Sequence, residues 1–173
     1  MKRLLIPLVL AAAGVAHADY TVNMTSISAK GAGASIGTVK VTAAGSGGVT
    51  FTPQLKGLPA GKHGFHIHES PNCAPKEKDG KPMAGEAAGP HWDPDKAGKH
   101  GAPTGAGHRG DLPPLEVAAD GSATKAVTAP RLKLADLGNK SLMIHAGGDN
   151  FSDSPKPSGG GGDRIACGVI GTR

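Results

Sequence analysis

The sequence lacks several features that membrane and nucleic-acid-binding proteins have. Beyond its first 18 residues it contains no long apolar run, so no segment is predicted to span a bilayer. It contains no run of basic residues, and the formal net charge of +5 at pH 7 falls to +3 without the first 18 residues, which argues against nucleic acid as a partner. Beyond residue 18, apolar residues nowhere recur at helical spacing over three or more turns, and 28 glycines and 14 prolines interrupt any long helix. We therefore expect an all-β protein.

The first residues have the order of a secretory signal peptide. Lys2 and Arg3 precede an apolar stretch that ends at Val15, and a small-residue cleavage signal follows. The stretch is too short for a stable anchor, and no cysteine lies nearby to accept a lipid. We expect residues 1–18 to be removed on export and residues 19–173 to form one soluble domain, because that length suits a single hydrophobic core.

The chain has only two cysteines, Cys73 and Cys167, and they lie far apart in the sequence. In an exported protein an even pair of cysteines indicates a disulfide, and two free thiols are the alternative. The bridge would join a long middle loop to the last strand.

Eight short runs of alternating or β-branched residues are predicted to be strands. Turn-forming residues separate them, and about eight such strands are typical of a Greek-key barrel or an immunoglobulin-like sandwich. The runs are residues 20–24, 37–42, 49–52, 64–68, 115–117, 123–128, 141–145 and 165–170.

Two connections, residues 69–110 and 147–163, are far longer than ordinary loops. Long loops in a compact domain are usually functional or disordered. The first carries three histidines at irregular intervals, which disorder does not explain. The glycine run at residues 159–162 is weaker evidence, since it could simply be a flexible turn.

His66 and His68 are the first candidate metal ligands. They lie two residues apart in a predicted strand, so both imidazoles point to one face while Phe65 and Ile67 point to the other. The alternative is a pair of surface histidines on a half-exposed strand.

Three histidines and an aspartate downstream form a second candidate set. Three imidazoles and one carboxylate suit a closed tetrahedral zinc site, which would order a loop that has few apolar residues of its own. A solvated His- and Gly-rich tract is the alternative. The four residues are His91, His100, His108 and Asp111.

His145 ends an apolar strand, where a lone histidine is more often a hydrogen-bonded core residue. Asp149 follows four residues later. Metal-bound imidazoles usually donate their second N–H to a carboxylate, so the pair supports a metal site. An ordinary turn-forming Asp149 is the alternative.

From about residue 21 to residue 171 the sequence resembles the copper/zinc superoxide dismutases, specifically their bacterial periplasmic branch. The motifs that carry the resemblance are Gly-Phe-His-Ile-His at 64–68, Gly-Pro-His at 89–91, Gly-His-Arg-Gly-Asp-Leu-Pro at 107–113, Ala-Pro-Arg-Leu at 129–132, Met-Ile-His-Ala-Gly-Gly-Asp-Asn at 143–150 and Gly-Asp-Arg-Ile-Ala-Cys-Gly-Val at 162–169.

The resemblance implies an eight-stranded Greek-key barrel with two long functional loops and two metal sites that share one ligand. Copper would be held by His66, His68, His91 and His145, and zinc by His91, His100, His108 and Asp111. The resemblance further implies a Cys73–Cys167 disulfide, Arg164 beside the copper as an anion guide, and Asp149 as a link between the two sites.

The activity that the resemblance implies is dismutation of superoxide to molecular oxygen and hydrogen peroxide in the periplasm. One Cu²⁺/Cu⁺ ion per subunit would be alternately reduced and reoxidised, and it would be bridged through His91 to one structural Zn²⁺ ion, which has no redox chemistry. Arg164 suits anion guidance because a guanidinium stays charged, although an ordinary surface arginine is the alternative.

Three further expectations concern the surroundings of the site. Lys76, Lys78 and Lys81 could add to an attractive field or form a solvated lysine run. His63 has no place in the motif and is expected at the surface. Residues 101–107 contain no aromatic anchor, which favours a monomer over a homodimer.

Two other functional classes compete with the enzyme. A copper or zinc carrier would use the same ligands but would need an exposed, exchangeable site. A structural adhesion sandwich gives no reason for the spacing of the histidines.

Overall fold

The computed structural model describes residues 19–171, and none of these lies in an α-helix. Eleven strands and three short 3-10 turns make up the regular structure of these described residues. The strands are β1 Tyr20–Ser28, β2 Gly31–Ala43, β3 Val49–Leu55, β4 Gly61–His63, β5 Phe65–His68, β6 Lys76–Lys78, β7 Lys81–Met83, β8 Leu115–Val117, β9 Val127–Ala129, β10 Lys140–His145 and β11 Arg164–Ile170. The predicted all-β class is confirmed.

The main sheet is antiparallel and curls into a half-barrel, with the strand order β5-β10-β11-β1-β2-β3-β9. Strand β4 pairs with β8 in a separate two-stranded sheet, but only Gly64 separates β4 from β5, so the two sheets are continuous along the chain. The last two strands, β10 and β11, pair with each other and lie between β5 and β1. This non-sequential strand order is typical of a Greek key.

All eight predicted strands overlap strands of the structure, and two of them are shorter than predicted. The predicted strand at residues 64–68 begins one residue later, at Phe65, because the backbone N–H of Gly64 donates to Gly147 O and not to a neighbouring strand. The predicted strand at residues 123–128 is reduced to β9 and a single bridge between Ala123 and Leu55.

The first long loop contains a hairpin that was not predicted. Strands β6 and β7 are joined by Asp79 and Gly80, both with positive φ, which is the geometry of a tight two-residue turn. The Asp-Gly pair was the available sequence signal for it.

The core fills the inside of the curled sheet. Phe51 and Phe65 meet edge to face with ring centroids 5.8 Å apart, and both are fully buried. Burial of one such side chain contributes about 1.5–3 kcal/mol. On β5 all four residues are buried, because the core covers Phe65 and Ile67 while the long loops cover the other face.

The predicted disulfide is present. Cys73 and Cys167 are bonded with their Cα atoms 5.8 Å apart, so the first long loop is joined covalently to β11. Beside the bridge, Ile27, Ala88 and Met143 form a small apolar cluster outside the main core.

Within residues 19–171, no helix is long and apolar enough to cross a membrane. The predicted signal peptide at residues 1–18 lies outside the described residues.

Candidate metal centre

The first long loop runs along the outer side of β5. Ile67 N donates to Gly110 O at 2.9 Å, and Trp92 N donates to Ile67 O at 2.8 Å. Two isolated antiparallel β-bridges then place His91 beside His68 and Asp111 beside His66. Residues far apart in the sequence are thereby brought to one face of the sheet.

Four buried histidines converge at this face. Their ligand nitrogens all lie within 4.8 Å of one another. Two come from β5, one from the end of the neighbouring strand β10 and one from the loop. They are His66, His68, His91 and His145, the set predicted to hold copper.

Three of these rings have a buried nitrogen with no hydrogen-bond partner among residues 19–171: His66 Nδ1, His68 Nε2 and His145 Nε2. The other nitrogen of each ring is engaged. The partners are Asp149 Oδ2 at 2.7 Å for His66, Gly89 O at 2.8 Å for His68 and Gly162 O at 3.1 Å for His145. Since buried polar atoms are rarely left unpaired, the free nitrogens fit a metal ion.

Burial also keeps these rings in the form that binds metal. It holds the pKa values of His66 and His68 well below the usual range and lowers the pKa of His145 to about 4. Burial likewise lowers the pKa of His91, although the Asp111 carboxylate opposes the shift. Neutral imidazoles with free lone pairs are metal ligands, whereas imidazolium rings are not.

A second group surrounds Asp111, and His91 belongs to both groups. Asp111 Oδ1 lies 2.9 Å from His91 Nδ1, 3.0 Å from His100 Nδ1 and 3.3 Å from His108 Nδ1. His100 Nδ1 is close to this oxygen but lacks hydrogen-bond geometry, so within the described part of the chain it is a buried atom without a hydrogen bond. Three imidazole nitrogens around one carboxylate fit the donor set of a closed zinc site.

Asp149 connects the two groups. Its Oδ2 accepts from His66 Nε2 at 2.7 Å and its Oδ1 accepts from His100 Nε2 at 2.8 Å. Burial raises the pKa of Asp149, but these histidines outweigh it and hold that pKa well below its usual range. Burial lowers the pKa of His100, yet the two carboxylates beside it, Asp111 and Asp149, raise it to about 9. We therefore interpret these contacts as hydrogen bonds, not as a third metal site.

Two of the four glycines at residues 159–162 pack against the site residues, whereas Gly162 is exposed. Gly159 and Gly161 are buried. A Cβ at Gly159 would clash with Asp149 Oδ1, and one at Gly161 would lie 3.1 Å from the His145 ring. The absence of side chains lets the second long loop close against the ligands.

His63 is not at the surface, which corrects the expectation from sequence. It is only 2% exposed, with Nδ1 2.8 Å from His145 O and Nε2 2.8 Å from Pro59 O. His63 thus braces the backbone of a predicted copper ligand. Its two-residue spacing from buried Phe65 and Ile67 was the signal that could have found it.

Arg164 lies at the start of β11 and lines the same cavity as three of the converging histidines. The cavity has a volume of about 1270 Å³. Lys76 and Lys78 line it, as does Lys99, which no sequence pattern indicated. Lys81 is on the hairpin but is not among the residues that line the cavity.

Comparison with known proteins identifies the relatives of this fold and site. The sequence matches the copper/zinc superoxide dismutase (SODC) family over residues 35–170. It is 57% identical to superoxide dismutase [Cu-Zn] 2 of Salmonella typhimurium and 54% identical to superoxide dismutase [Cu-Zn] of Escherichia coli, each over 98% of this chain and 99% of the relative.

Solved structures agree. The copper/zinc enzyme of Brucella abortus superposes with a TM-score of 0.86 at 49% identity, and the monomeric enzyme of Salmonella enterica, solved in solution, with 0.79 at 56% identity. Each match covers 88% of this chain and 99% of the other. The chain therefore belongs to the copper/zinc superoxide dismutase family.

Proposed function

We propose that the chain binds one copper and one zinc ion and converts two superoxide anions and two protons into molecular oxygen and hydrogen peroxide. The observation that carries the proposal is the position of His91, whose Nδ1 faces Asp111 while the ring also belongs to the four-histidine group. We assign copper to His66, His68, His91 and His145, and zinc to His91, His100, His108 and Asp111.

Bound copper supplies the one-electron couple that the reaction needs, whereas zinc supplies charge and structure only. His68 Nδ1 donates to Gly89 O and His145 Nδ1 to Gly162 O, which fixes which nitrogen of each ring faces the copper position. His91 is suited to hold a proton at the ring nitrogen turned away from Asp111 and to release it to the peroxide product.

The zinc ligands also have a structural task. His100, His108 and Asp111 come from a loop whose order depends on few apolar contacts, and a metal ion would tie them to His91. Asp149 then couples the two ligand sets, since it accepts hydrogen bonds from His66 and His100.

Arg164 is proposed to attract the anionic substrate. Its guanidinium is partly buried, lines the cavity that reaches His68, His91 and His145, and stays charged at any working pH. Its positive charge lies beside the copper ligands, where it can attract a small anion.

The burial of the ligands argues against a metal carrier. His66, His68, His91 and His145 are at most 6% exposed. A carrier needs ligands that a partner can reach, while an enzyme needs only a channel wide enough for superoxide.

Export to the periplasm is part of the proposal, and so is a monomeric state. The signal-peptide pattern of residues 1–18 and the disulfide support export, because disulfides persist in oxidising compartments. The lack of an aromatic anchor at residues 101–107 supports a monomer.

The direct experiment is metal analysis of the purified protein together with a superoxide-consumption assay. We expect one copper and one zinc per chain and rapid consumption that is lost when copper is removed and regained when it is restored. Protein that carries both metals but does not consume superoxide would be a carrier.

A further inference from the structure

The proposed anion guide, Arg164, faces a carboxylate of its own chain. Arg164 Nη2 lies 3.4 Å from Glu86 Oε2, and these side chains are only 14% and 18% exposed. Glu86 begins the 3-10 turn Glu86–Ala88, a few residues before His91, and lines the same cavity. An anion that approaches the copper ligands therefore meets Arg164 together with this negative charge.

Arg164 does not depend on Glu86 for its position. Its Nη1 donates to Gly85 O at 2.6 Å and its Nη2 donates to Gly89 O at 2.9 Å. These bonds use two of the five guanidinium N–H groups and leave others for an anion. The Glu86 contact is longer than a good hydrogen bond, so Glu86 acts on Arg164 mainly through its charge.

A second cation shares the same carboxylate. Lys78 Nζ lies 3.0 Å from Glu86 Oε1, and the Lys78 side chain is 56% exposed. Lys78 belongs to β6, so the hairpin at the cavity edge is linked through Glu86 to Arg164. Part of the Glu86 charge is thereby neutralised from the solvent side.

We propose that the Glu86 carboxylate competes with small anions for Arg164 and thereby limits the affinity of the copper site for them. We further propose that Lys78 weakens this competition. The inference rests on the role proposed above for Arg164. Charges in a partly buried cavity are screened less by water and salt than exposed charges are, so one carboxylate at this position has a measurable effect.

Azide titration tests the proposal, because azide is a small anion that binds copper(II) and changes its visible absorption. In the copper- and zinc-loaded protein at low ionic strength, Glu86→Gln keeps the shape of the side chain but removes its charge. We expect the Kd for azide to fall about two- to five-fold. Lys78→Gln should raise it.

Glu77→Gln is the matched control. Glu77 lines the same cavity and its substitution makes the same change in charge, but among the described residues no ion pair joins it to Arg164. Its effect on the azide Kd should be less than half that of Glu86→Gln. The copper content of every variant is measured, so that Kd values refer to loaded sites.

An azide Kd that is unchanged or raised in Glu86→Gln, or that matches Glu77→Gln, would overturn the inference. Arg164→Gln separates this failure from that of the proposed function. If Arg164→Gln binds azide as tightly as the unaltered protein, Arg164 is not an anion guide, whatever Glu86 does.

Discussion

Some roles of single residues around the metal centre can be predicted from the sequence, and others cannot. The strand spacing of His66 and His68 predicts a shared face, and the loop histidines follow from the donor types that zinc prefers. The Glu86 contact with Arg164 could not be predicted from sequence. The two residues are 78 positions apart, and local patterns carry no information about which loop turn packs against which strand.

His63 gives a prediction at this scale. His63→Ala removes the ring nitrogens that face Pro59 O and His145 O and leaves a cavity, so the free energy of unfolding should fall by about 2–4 kcal/mol. Copper affinity, measured by competition with a chelator, should also fall, since the backbone of His145 loses its brace. Lys62→Ala, an exposed neighbour on β4, is the control and should change neither quantity.

At the scale of elements, the strands were more predictable than the connections. Alternation located all eight predicted strands, because it records which face of each strand is buried. It did not predict that the glycine run would pack against Asp149 and His145, since that contact joins two elements and leaves no local pattern.

Gly159 and Gly162 provide a matched pair of substitutions in this loop. Both have positive φ. A Cβ at Gly159 would clash with Asp149 and His100, whereas a Cβ at Gly162 would have no atom of the other described residues within 4 Å. Gly162→Ala should cost about 1–2 kcal/mol from backbone strain alone. Gly159→Ala should cost more and should also weaken zinc binding, as measured by thermal unfolding and chelator competition. Equal losses would contradict the packed-loop account.

The disulfide makes a prediction about the first long loop. Cys73 and Cys167 are separated by 94 residues, and closing a loop of that length stabilises a protein by up to about 4–5 kcal/mol in the chain-entropy model. The double variant Cys73→Ser, Cys167→Ser should lose much of that stability in denaturant titration. An unchanged unfolding midpoint would mean that metal ligation alone orders the loop.

At the scale of the whole molecule, positive charge along the cavity is expected to attract superoxide toward the copper ligands. The formal net charge is +5 for the full sequence and +3 without residues 1–18. The cavity that reaches the copper ligands is lined by Arg164, Lys76, Lys78 and Lys99. Long-range attraction is screened by salt, with a Debye length of about 8 Å at physiological ionic strength. The second-order rate with superoxide should therefore fall as salt is raised. Arg164→Ala should be slower at low salt and should respond less to added salt, whereas a salt-insensitive rate in the unaltered protein would contradict steering.

The central claim is that His91 belongs to both metal sites, and the metal content of His91→Ala tests it most directly. His108→Ala is the control, because His108 belongs to the Asp111 group only. We predict that His91→Ala lowers the affinities for copper and zinc together, each about tenfold or more, while His108→Ala lowers zinc affinity and leaves copper binding close to normal. Loss of zinc alone in His91→Ala would contradict the shared ligand.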